Sequence, residues 1–207
     1  MSAVFIIGKS IENGQPLHVR DASNGLSCNC ICYECEQKLE AVQGKRDWYF
    51  RHYNKSACKG NNETALHNYA KLLLCQNTFI QSKKKIINYT NPSLETVTDK
   101  YRSDVSVKYN DSILHFEIVV RNKLTSEKIN YYKKNKINCI KIDLSSRILL
   151  SAEPKDIRDA VIEDKKNKDF IQWNEDENCN WLIACGLFIA SLFVLNGLLR
   201  GRHKIKK

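Results

Sequence analysis

The chain has 207 residues, 33 Lys and Arg against 23 Asp and Glu, a net charge of +10 and nine cysteines. With an apolar C-terminal segment and its tail set aside, about 180 residues remain, enough for a genuine core in one ordinary domain or two small ones. The opening MSAVFIIGKS lacks the basic n-region and long apolar run of a secretory signal; this argues against a secreted disulfide framework and makes metal the better use for clustered cysteines.

Taken in chain order, the first sixty residues read as short strands: Val4 to Ile7, Leu17 to Arg20, a cysteine-rich turn, then Lys38 to Val42 and Asp47 to Arg51 joined through Gln43, Gly44 and Lys45. From Asn62 the period becomes helical, with Ala65, Leu66, Tyr69, Ala70, Leu72, Leu73 and Leu74 on one apolar face. Strands follow at Thr96 to Thr98, Ser103 to Tyr109 and Ile113 to Val120, with a turn at Asn110 and Asp111. A helix over Ser126 to Asn135, a strand over Cys139 to Leu144 and a last helix from Lys155 to Trp173 complete the expected body.

Cys32 and Cys35 form a C-x2-C pair that lets one turn aim two thiolates at one ion, and His52 and Cys58 lie across the expected hairpin. These four make a Cys3His set of the kind that holds structural Zn2+. Such a site would stabilise a segment whose own core is small, because metal binding contributes folding free energy directly. Cys28 and Cys30 share strand parity with Cys32, so either can replace one of the four. Cys75, Cys139, Cys179 and Cys185 sit in apolar surroundings, where packing is the default.

Asp104 opens one expected strand and Glu117 lies on the next, so pairing would bring both carboxylates to one edge, where they can share Mg2+ or Mn2+. Glu63, His67 and Lys71 repeat at i, i+4, i+8 on one helix face and can reach the same cleft, although such spacing also serves a solvated, pair-stabilised surface. The lysine clusters Lys83 to Lys85, Lys133 to Lys136 and Lys165 to Lys168 are compatible with a nucleic-acid partner and equally with solvated faces.

The succession of Cys32-x2-Cys35, GKRDWYFRHY, Cys58, NNETALHNYAKLLL, RSDVSV, FEIVV and SEKINYYKKNKINCIKIDLS resembles the competence protein CoiA-like family over roughly residues 3 to 175. The resemblance implies an α/β (α+β) chain: a zinc-ribbon-like β module over 1–61, then a restriction-endonuclease-like core of the PD-(D/E)xK type over 62–150, a mixed sheet flanked by helices. A helix and linker would occupy 151–178. It further implies a metal-dependent nuclease acting on DNA, with Glu63, His67 and Lys71 on the family's helix motif and Asp104 and Glu117 as its carboxylates. One position departs: the nuclease pattern places Lys or Gln two residues after the second carboxylate, and here that residue is Val119. Lys71, Arg121 or Lys123 can substitute, metal ions can carry a slower reaction alone, or the core has become a DNA-binding or adaptor module.

Trp181 to Leu199 carries no charge and only Ser191 and Asn196 as polar side chains. As a helix it would rise about 28 Å, close to the hydrocarbon thickness of a bilayer. The sequence therefore predicts a transmembrane segment over 179–200 and a basic tail over 201–207, with the body cytoplasmic. The tail RGRHKIKK would itself prefer the cytoplasmic side, and a re-entrant or interfacial segment is the alternative. Gly186, Ala190 and Ser191 offer small surfaces for a homo-oligomer or a membrane-protein partner.

Overall fold

Frequent turns break the N-terminal residues into short antiparallel strands. The computed structural model describes residues 5–54, 57–58 and 62–174. In it, β1 (Ile7–Ser10) pairs with β2 (Pro16–His18) and β3 (Cys30–Ile31), and β4 (Leu39–Gln43) pairs with β5 (Trp48–His52) as the expected hairpin. Alternation along β4 and β5 turns Leu39, Ala41 and Phe50 inward, where they join Phe5, Val19, Cys28 and Cys30 in a small core. The first strand starts later than the apolar run VFII suggests. It runs through Gly8, where a Cβ would meet Leu39 Cδ1 at 3.1 Å, a close approach that hydropathy does not reveal.

The helix expected after residue 62 is α1 (Asn62–Gln76), four turns long, with Ala65, Leu66, Tyr69, Ala70, Leu73 and Leu74 buried. Two small hairpins, β6 (Phe79–Gln81) with β7 (Ile86–Asn88) and β9 (Val97–Thr98) with β10 (Tyr101–Arg102), flank β8 (Thr90–Leu94). The main sheet takes the order β14-β13-β12-β11-β8, built from β11 (Val105–Tyr109), β12 (Ser112–Val119), β13 (Asn138–Asp143) and β14 (Lys168–Gln172). Asn110 closes the β11–β12 turn at φ 49, a left-handed conformation that Asn tolerates. β12 and β13 are parallel, and α2 (Ser126–Lys134) makes the crossover between them, its N-terminus capped by Thr125 Oγ1 accepting from Lys128 N at 3.2 Å.

The two faces of β12 carry different chemistry. Leu114, Phe116 and Ile118 belong to the large core shared with Leu66 and Leu74 of α1 and with Ile140 and Ile142 of β13. His115 and Glu117 point the other way, toward Tyr132 of α2.

The C-terminal helix expected over 155–173 is not one helix. A short α3 (Pro154–Arg158) runs into one turn of π-helix, Asp159–Glu163, and the chain then reverses into β14. Asp164 Oδ1 accepts from Lys166 N at 2.8 Å, a turn that ends the helix, while Phe170 pairs in register with Ile140. The helical reading fits Ile157, Val161 and Ile162, which are fully buried, but not Phe170 and Ile171, which belong to the strand.

Lys83 to Lys85 and Lys168 also resolve into local packing, while Lys165 and Lys166 stay exposed. Lys83 pairs with Asp169 at 3.0 Å, Lys84 lies over Phe170, and Lys85 lies over Trp173 and donates to Tyr109 Oη at 2.8 Å. Lys168 is fully buried, its ammonium donating to the carbonyls of Ala160 and Asp164 and to Asn167 Oδ1. The segment Trp181 to Leu199 lies outside the described residues; among the described residues no helix is long and apolar enough to cross a membrane.

Candidate functional site

Two groups of side chains stand out, and different elements build them. In the first, the turn after β3 carries Cys32 and Cys35, the end of β5 supplies His52 through its pairing with Leu39, and Cys58 comes from the following loop. The turn is closed by Glu36 N donating to Cys32 O at 3.0 Å, with Glu36 left-handed at φ 57. Glu34 N also approaches Cys32 Sγ at 3.4 Å.

The four ligand atoms lie within 4.8 Å of one another, and His52 Nε2 stands 3.2 Å from Cys35 Sγ. Tetrahedral zinc with sulfur at about 2.3 Å separates its ligands by roughly 3.8 Å, so the set fits with little movement. His52 is buried beside Phe5, and its Nδ1 has no hydrogen-bond partner. Burial pushes the Cys32 thiol up to about 11, and the Glu34 amide beside the sulfur favours the thiolate that a metal ligand must be. The Cys32, Cys35, His52 and Cys58 cluster can thus hold a structural metal such as zinc. Cys28 and Cys30 do not join it: Cys30 Sγ donates to Cys28 O at 2.9 Å and Cys28 Sγ to Leu39 O at 3.5 Å, inside the small core.

The second group centres on Asp104, just before β11. Its Oδ2 accepts from Ile118 N at 2.8 Å and from His67 Nε2 at 3.1 Å, and its Oδ1 lies 3.5 Å from Lys71 Nζ. Burial alone would raise this carboxyl, but the His67 hydrogen bond and charge, the Ile118 amide and Lys71 outweigh it and hold Asp104 below the usual carboxylate range. Lys71 is buried and also donates to Glu95. Glu63, His67 and Asp104 line one open cavity of about 340 Å³ with Arg121, and Arg121 Nη1 lies 3.5 Å from Glu63 Oε2. Spacing of four along α1 is what stacks Glu63, His67 and Lys71 on one side.

Glu117 does not line that cavity. It is 2 % exposed on the α2 face, where Lys128 Nζ lies 2.7 Å from Oε2 and Tyr132 Oη donates to Oε1. Burial raises its carboxyl, and Lys128 and Tyr132 only partly offset this. Lys128 also donates to Arg102 O at 2.8 Å, so the ammonium ties α2 to β10 as well as β12. Val119, two residues on, is buried.

The cation paired with Glu117 is Lys128, not one of Lys71, Arg121 and Lys123, the replacements expected for the base absent at Val119. The signal was present in SEKINYYKK, where Lys128 and Tyr132 lie four apart on a helix that must pack on a sheet.

Comparison with known protein families, with curated proteins and with solved structures gave no match.

Proposed function

We propose that this chain is a zinc-stabilised, nuclease-like protein that handles DNA at a membrane, with hydrolysis centred on the cavity of Glu63, His67 and Asp104. The observation that carries the reading is an Asp104 carboxylate held below its usual range by His67 of α1, in an open cavity that Glu63 also lines. The main sheet supports it: β8, β11 and β12 follow α1, and the crossover α2 leads to the parallel β13, a mixed sheet flanked by helices as the CoiA-like resemblance implies.

A bound Mg2+ or Mn2+ would supply an activated water and charge neutralisation at the phosphodiester. Asp104 and Glu63 would hold the ion. His67, donating to Asp104, fixes the carboxylate's orientation. Arg121, beside Glu63, meets the phosphate with a planar donor fork. Lys128 does not replace the residue missing at Val119: it pairs with Glu117 outside the cavity and acts on the packing of α2 against β12.

Magnesium-dependent cleavage of circular and linear DNA by the full chain tests this. Asp104→Ala abolishes it, and unchanged cleavage by that variant rules the cavity out. A second reading, DNA binding without hydrolysis, is favoured by one observation: Glu117 is held in the Lys128 and Tyr132 clamp instead of facing the cavity. Under it the wild type binds DNA and cuts none.

The membrane part of the proposal rests on Trp181 to Leu199, and flotation of the full chain with lipid vesicles, lost when that segment is deleted, tests it.

A further inference from the structure

The Glu63 cavity does not end at Arg121. A second cavity, of about 490 Å³, continues from it, and Glu63, Val120 and Arg121 line both. Strand geometry explains the continuity. β12 and β13 are parallel with Val119 opposite Asp143, and Leu144 N donates to Val119 O at 2.7 Å. The loops that begin at residues 120 and 144 therefore leave the sheet side by side, at the carboxyl ends of parallel strands where open sheets characteristically form ligand crevices.

The chemistry changes across the shared wall. The first cavity has two carboxylates. The second adds Arg147, Ser145 and Ser146 together with Leu144 and Leu150, and its one carboxylate, Glu63, is already paired with Arg121. Arg147 is exposed and makes no ion pair among the described residues. Ser146 makes no capping hydrogen bond, and Ser145 Oγ donates to Asp143 Oδ1 at 2.6 Å, which fixes the loop. Two guanidinium groups and a hydroxyl lining one cavity with apolar side chains match a phosphate joined to a sugar and base better than a bare anion.

We infer that this second cavity seats the nucleotide next to the one held at Glu63, His67 and Asp104, with Arg121 and Arg147 taking its phosphate and Leu144 and Leu150 its sugar or base. The inference rests on the nuclease-like reading and extends it to a flanking subsite. Arg121, shared by both cavities, bridges successive phosphates of one strand.

The test measures binding of fluorescein-labelled single-stranded and duplex DNA oligonucleotides to the full, zinc-loaded chain as a function of salt. Arg147→Glu is compared with Lys108→Glu, an equal charge reversal at an exposed position on β11, outside the lysine clusters. Arg147→Glu weakens binding by about tenfold and lowers the salt slope by about one unit, while Lys108→Glu does much less. Equal effects of the two variants overturn the subsite, and if cleavage sensitive to Asp104→Ala persists, the hydrolytic reading survives it. Absence of cleavage by the wild type, with the Arg147 effect intact, leaves the subsite standing and removes hydrolysis. A wild type that binds neither oligonucleotide overturns both.

Discussion

Glu117 and Lys128 form the buried ion pair on which the α2 face of the sheet depends, with side chains 3 % and 17 % exposed. Removing one partner of such a pair strands the other charge out of water. Lys128→Met should therefore destabilise the fold by about 3 kcal/mol in urea denaturation, and adding Glu117→Gln should recover most of the loss. No recovery would mean that Lys128 acts through Arg102 O instead. The same residues mark the limit of what the sequence discloses. Helical spacing places Glu63, His67 and Lys71 on one face, and the packing of α1 on the sheet then brings His67 and Lys71 to Asp104. The position of Glu117 depends on which face of β12 meets α1, and alternation assigns two faces without saying which helix covers which.

At the scale of elements, the join between the cysteine module and the sheet hangs on β2. His18 is buried; its Nε2 donates to Ala152 O at 3.1 Å, and its Nδ1 accepts from Arg20 N at 3.1 Å. Arg20 in turn meets Glu153 through a fork, Nη2 to Oε1 at 2.6 Å and Nε to Oε2 at 2.8 Å. Burial lowers the His18 pKa below its ordinary value of 6.5, so the folded state binds the proton less readily than the unfolded chain. The stability this contributes is complete above pH 6.5 and is lost as pH falls toward the folded value. Thermal melts from pH 7.5 to pH 5 should show this slope, and His18→Gln should flatten it; an unchanged slope would place the acid sensitivity elsewhere. Lys168 gives the opposite lesson about legibility. Within KKNK it reads as one more surface lysine, yet it lies in the core with its pKa lowered by burial to about 8, capping carbonyls left by the π-helical turn. Only the reversal of the chain into β14 puts it there, and that reversal hides behind the helical spacing of Ile157, Val161 and Ile162.

For the molecule as a whole, the cysteine module has too little apolar bulk to hold its own shape, so metal should govern its stability. The zinc-loaded chain should carry about one zinc per molecule, and chelation should raise amide exchange across residues 5–54 well before β11 and β12. Uniform exchange over the whole chain would show that the module and the sheet unfold together. The C-x2-C spacing and the following His and Cys made this site the most readable feature of the sequence, because a metal's geometry demands nearby ligands whatever the surrounding fold. The cavity beside α1 was legible only in part: its acids were visible, but its continuation to Arg147 required the parallel pairing of β12 with β13. The most direct test of the central claim is Mn2+ binding to the zinc-loaded full chain, followed by electron paramagnetic resonance, in the wild type, Asp104→Ala and Glu117→Gln. The account predicts a site lost in Asp104→Ala and retained in Glu117→Gln; a site that survives Asp104→Ala, or disappears with Glu117→Gln in a folded protein, would contradict it.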